Sequence, residues 1–148
     1  MKEALIELFR QDLNRLKQEI ELYNNESALW KTEHSIKNSG GNLCLHIIGN
    51  LKTFIGNGLA EIGYVRQRDL EFSAKDVDRA KMYAEIDETI EIVSQAIGKL
   101  KEDQIKGDFP MLIGGKEAGM AFTLIRLHAH LNYHLGQINY HRRILDKN

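Results

Sequence analysis

The chain has 148 residues, 28% charged and 43% hydrophobic, which is ordinary globular usage and predicts one domain with its own core. A net charge of −1 excludes a general electrostatic pull toward nucleic acid or an anionic membrane. The single cysteine, Cys44, excludes an internal disulfide and fits a reducing compartment, so a cytoplasmic protein is expected.

No uncharged apolar run approaches the ~18 residues of a membrane span. The opening stretch Met1-Lys2-Glu3-Ala4-Leu5-Ile6-Glu7 carries acids inside its apolar pattern and no secretory cleavage site. With only one proline and long periodic stretches, the chain reads as mostly helix.

The first helix spans about 2–23, where Leu5, Leu8, Phe9, Leu13, Leu16 and Ile20 recur at three- and four-residue steps. Asn24-Asn25-Glu26-Ser27 ends it. A connector follows over 28–37, anchored by Trp30, the only tryptophan. Asn38 and Ser39 are start signals for a second helix over about 40–59. Beside its apolar stripe this helix carries a polar strip of Asn42, His46, Asn50 and Thr53, which requires internal partners or a cavity.

Residues 63–72 read as a charged, aromatic connector. Ser73 with Asp76 reads as the cap of a third helix over about 74–104. A loop with a short extended hairpin around Met111-Leu112-Ile113 is expected before a fourth helix over about 116–145. Four long amphipathic helices with long connectors predict an all-α fold, a four-helix bundle of non-simple connectivity.

The stretch of most chemical interest lies in the fourth helix. His130 and His134 are one turn apart and share a face with Leu127, Ile138 and His141. Such a pair is either a set of core or rim histidines or two ligands of a metal site. Tight binding needs a third ligand, and His46 supplies one from the polar strip of the second helix. Three imidazoles leave a fourth position for water or substrate, as catalytic zinc sites do. Asn42, Asn50 and Gln137 are candidates to hold the ligands' outer nitrogens or to line a pocket.

His128 is offset from this face and reads as exposed or interfacial. His141 lies two turns from His134, about 10 Å along the helix, and is set aside as a ligand. His34 reads as exposed, and Cys44 as a small core side chain. The sequence lacks the Glu-x-x-His pairs of di-iron bundles, the His-Glu-x-x-His of metalloproteases, Cys-x-x-Cys and the phosphate-binding glycine loops.

Gly41-Asn42-Leu43-Cys44-Leu45-His46-Ile47-Ile48-Gly49-Asn50-Leu51 and His130-Leu131-Asn132-Tyr133-His134-Leu135-Gly136-Gln137-Ile138 resemble the two histidine motifs of the DinB/YfiT-like superfamily. The stretch Tyr64-Val65-Arg66-Gln67-Arg68-Asp69-Leu70-Glu71-Phe72-Ser73 resembles an uncharacterised branch of it, a domain of unknown function. The resemblance implies an up-down-down-up bundle, a homodimer, and a divalent ion, commonly zinc or nickel, on His46, His130 and His134. It further implies kinship with transferases and isomerases that use low-molecular-weight thiols. Two functions stand at this point: a metal-dependent, thiol-using enzyme, or a metal-binding or structural homodimer without catalysis.

Overall fold

The computed structural model describes residues 1–147. Among them the chain is all-helical. It holds α1 (Lys2–Glu21), α2 (Gly40–Leu51), α3 (Gly58–Ala60), α4 (Arg68–Ser73), α5 (Arg79–Gly98), α6 (Glu102–Ile105) and α7 (Met120–Leu145). A 3-10 helix (Glu26–Trp30) follows α1, and a π-helical stretch (Lys52–Asn57) continues α2 into α3. No helix among the described residues is long and apolar enough to cross a membrane.

The expected stripe of α1 is the buried one except at Leu8, which lies at its edge and is exposed. Leu5, Phe9, Leu13, Leu16 and Ile20 enter one core with Ile47, Ile48 and Leu51 of α2, Ile86, Val93 and Ile97 of α5, and Leu124, Leu131 and Ile138 of α7. Removing this apolar surface from water is the main driving force for the packing.

Polar contacts at the core's rim set the register of the long helices. Asp12 accepts from His128 Nε2 at 2.7 Å and from Asn132 Nδ2 at 2.8 Å, while Glu19 accepts from Asn139 Nδ2 at 2.7 Å and Arg142 Nε at 2.9 Å. Both carboxylates are buried, so each requires such a partner. Of the two readings of His128, exposed or interfacial, the interfacial one holds: its ring meets Asp12 of α1. Lys17 meets Asp87 at 2.9 Å, and Lys2 donates to the last carbonyls of α5 at Gly98 and Leu100. Arg79 does the same for α1 at Ile20 and Tyr23.

Two expected helix starts move. Asp76 has φ +56°, a left-handed conformation that no helix can run through, and α5 starts at Arg79 with Asp78 accepting from the Ala80 amide. Ser73 ends α4 instead of capping α5. The fourth helix starts at Met120, because residues 108–119 form a turn with bridges between Asp108 and Gly119 and between Ile113 and Lys116. Gly114 and Gly115 give that turn its positive φ angles. Ser39 caps α2 as expected, accepting from the Asn42 amide at 3.1 Å.

The buried Trp30 ring lies against Gly41, where a Cβ would come within 2.7 Å of it. The 3-10 helix is thereby fastened to the start of α2, as its tryptophan suggested.

Candidate metal centre

α2 and α7 run in opposite senses. Gly40 lies beside His141, with a would-be Cβ 3.3 Å from Nδ1 of that ring, and His46 lies beside His130 further along. This crossing brings together the three histidines singled out from the sequence. His46 Nε2 is 3.3 Å from His130 Nε2, and His134 Nε2 is 3.1 Å from the same atom. One ligand atom from each ring lies within 4.8 Å of the other two. His46 is buried, and His130 and His134 are half-buried.

The outer nitrogens fix which atoms carry lone pairs. His46 Nδ1 donates to Glu71 Oε1 at 3.0 Å, and His134 Nδ1 donates to Gln137 Oε1 at 2.8 Å. In neutral rings both Nε2 atoms are then lone-pair acceptors aimed at His130 Nε2. His130 can give a proton to one of them at most, so at least one close N···N approach has no hydrogen between its atoms. A cation among the three nitrogens removes that conflict. Tetrahedral zinc with bonds of ~2.0–2.1 Å places imidazole nitrogens about 3.3 Å apart, and the observed spacings fit that donor set.

Electrostatics favour neutral, ligand-ready rings. Burial lowers the pKa of His130 to about 4, helped by the neighbouring His134 and His46 and by the charges of Arg66 and Arg126. Burial also lowers His46, against the raising effect of its bond to Glu71. A proton is thus a weak competitor for these two lone pairs.

Glu71 and Arg66 are neighbours of the histidine cluster that the sequence reading missed. Both sat in the stretch treated as connector, which folds into α4 and its approach. Glu71 is buried, and Arg66 grips its carboxylate with Nε to Oε2 at 2.9 Å and Nη2 to Oε1 at 3.0 Å. The carboxylate is thereby held toward His46, the arrangement that orients metal-bound imidazoles. Phe72, next in sequence, packs its ring 4.8 Å from that of His46. The available signal was an acid between an arginine and a phenylalanine in an otherwise aperiodic stretch, which does not announce a partner 25 residues away.

The three other candidates separate by contact. Gln137 touches the site, as described. Asn42 acts at one remove: its Nδ2 donates to the carbonyls of Glu71 at 3.0 Å and Ala74 at 2.8 Å, pinning α4 onto α2. Asn50 is buried one turn beyond His46, and its Oδ1 has no protein partner.

His141 is outside the cluster, as the helical rise required. Its Nε2 donates to the Lys31 carbonyl at 2.8 Å, so Nδ1 accepts from Tyr23 Oη at 2.6 Å. Cys44 is fully buried, and burial pushes its thiol pKa well above the usual range.

The sequence profile of one family covers residues 2–148. The chain belongs to the family described as "Protein of unknown function (DUF1572)". In this member of the family, the profile spans all three histidines as well as Arg66 and Glu71. No curated protein matches the chain.

Proposed function

We propose that His46, His130 and His134 bind a divalent metal, zinc or nickel, and that the protein is a metal-dependent enzyme of the DinB/YfiT-like type acting with a low-molecular-weight thiol. The observation that carries this reading is the convergence of three Nε2 atoms, two of them fixed as acceptors by Glu71 and Gln137. A three-imidazole set leaves one coordination position free. The half-buried state of His130 and His134 supports a fourth position within reach of solvent, as a catalytic site needs and a closed structural site does not.

When bound, the metal would lower the pKa of a thiol or water so that a nucleophile exists at neutral pH. The chain's own groups do the rest. Glu71 and Gln137 hold the tautomers of His46 and His134. Arg66 holds the Glu71 carboxylate in place, and Phe72 covers one side of His46.

The helix directions support the up-down-down-up bundle. Contacts advance together along α1 and α7 (Asp12 with His128, Glu19 with Arg142) and along α2 and α5 (Lys52 with Glu88, Gly56 beside Ile92). They advance oppositely along α1 and α5 and along α2 and α7. A homodimer is part of the same proposal. Its support is an exposed stripe along α7 of Phe122, Ile125, Tyr133, Tyr140 and Ile144. The stripe is centred near Tyr133, so two antiparallel copies crossing there would bring Phe122 near Ile144 and Ile125 near Tyr140.

The test is metal analysis of the purified protein, followed by thiol-transfer assays on electrophiles with wild type and His134→Ala. One equivalent of metal and thiol-dependent turnover are expected for wild type, and loss of both for the variant. Full metal content in His134→Ala would overturn the ligand assignment. A fully loaded wild type with no thiol chemistry would leave the non-catalytic, metal-binding homodimer.

A further inference from the structure

Arg126 stands on α7 one turn before His130, continuing the line of His134 and His130. Because α2 and α7 are antiparallel, Asn50, one turn beyond His46 on α2, lies toward the Arg126 end of α7. This end of the site has three features that the histidines do not use. The Oδ1 of Asn50 and the Oγ1 of Thr53 are buried and have no protein partner. A recess of about 140 Å³ opens beside Arg126 and is walled by Thr123, Phe122, Ala118 and Ile113, with Lys116 and Glu117 at its edge. The recess lining carries two cations, Arg126 and Lys116, against the one carboxylate of Glu117. Arg66 flanks the cluster already committed to Glu71, and Arg68 lies over the Phe72 ring at 5.2 Å. Arg126 has no carboxylate partner among the described residues.

We infer that the recess beside Arg126 binds the anionic group of a small carboxylate-bearing ligand whose other end reaches the fourth metal position. Three neutral imidazoles do not cancel the charge of a divalent ion, so an anion is the favoured occupant on charge grounds alone. Arg126 supplies the planar fork that pairs with a carboxylate, and Lys116 adds a second charge against the single opposing carboxylate of Glu117. Asn50 and Thr53 meet the middle of the ligand, where each gains a missing hydrogen-bond partner. His130 and Arg126 are separated by about 6 Å of helical rise, a span that fits a ligand of a few carbon atoms.

This inference rests on the metal reading above and specifies its ligand. The test uses the cobalt(II)-loaded protein and compares mercaptopropionate with its neutral analogue mercaptopropanol, following the thiolate-to-cobalt absorption band. The carboxylate thiol should bind roughly tenfold more tightly, one charge-assisted pair being worth about that much. In Arg126→Gln and Lys116→Gln the preference should shrink toward unity with cobalt uptake unchanged, and in Glu117→Gln it should grow.

Equal binding of the two thiols by wild type, or a preference that survives in Arg126→Gln as simple chelation would, overturns the anion site while leaving the metal centre standing. Failure to take up cobalt overturns the metal reading and this inference together.

Discussion

Gly49 faces the carboxylate of Glu71 so closely that a Cβ on residue 49 would lie 2.6 Å from Cδ of Glu71. Only a glycine on α2 lets Glu71 reach back to His46 one turn away. Gly49→Ala should therefore act as an indirect variant of the metal centre. Glu71 would be displaced, the His46 Nδ1 bond would lengthen, and zinc affinity should fall about 10–100-fold, the usual cost of losing an outer partner of a metal-bound histidine. Competition with a chromogenic chelator measures this, and circular dichroism should show retained helix. Unchanged affinity would mean that the Glu71–His46 bond does not support metal binding.

What the sequence disclosed follows from the range of the interactions involved. The stripe of α1 and the pair His130–His134 were legible because both depend on spacings within one helix. His46 was legible because a histidine in a polar strip on a helix as apolar as α2 lacks a bland explanation. Glu71 was hidden because its meaning comes from a helix 25 residues away and from an arginine that turns a buried acid into a stable one. The start of α5 was misplaced because Ser73 and Asp76 imitate a capping box, while the left-handed backbone at Asp76 leaves no trace in periodicity. Helical angle left His128 as exposed or interfacial, and only its acid partner Asp12 on α1 decides for the interface.

Stability of the metal-free protein should depend on pH through buried neutral histidines. His46, His130 and His141 all lie below the ordinary histidine value of 6.5, with burial the largest cause in each. Between the folded and unfolded pKa values the unfolded chain binds more protons, so stability rises with pH across that window. It should be full above about pH 6.5 and decline as the pH falls toward 4, where His130 itself titrates. Thermal melts of the apo protein should show Tm falling over this range, and His130→Gln should flatten the fall. A Tm that rises on acidification would contradict the assignment of neutral rings.

The Tyr23–His141 pair offers a contrast, since it is buried and titratable but set apart from the cluster. Tyr23→Phe removes the donor to His141 Nδ1 and leaves that nitrogen buried without a partner. The expected cost is about 1–3 kcal/mol, read as a Tm lower by several degrees in a domain of this size. Metal affinity should be unaffected. A large drop in metal binding in this variant would place His141 inside the site after all.

Asn42 and Gln137 reach the metal ligands by different routes, and their variants should separate accordingly. Gln137 touches His134 directly, so Gln137→Ala should weaken metal about tenfold or more and leave the rest of the fold undisturbed. Asn42 touches no histidine. It ties the last carbonyls of α4 and its exit to α2, with its own Oδ1 held by Ser39 and Lys75. Asn42→Ala should free α4, letting Glu71 drift from His46, so metal affinity falls here too. The distinguishing readout is amide hydrogen exchange over residues 68–73, which should accelerate in Asn42→Ala and stay at the wild-type rate in Gln137→Ala. Equal exchange in both variants would show that α4 is held by Arg66 and the Phe72 packing without help from Asn42.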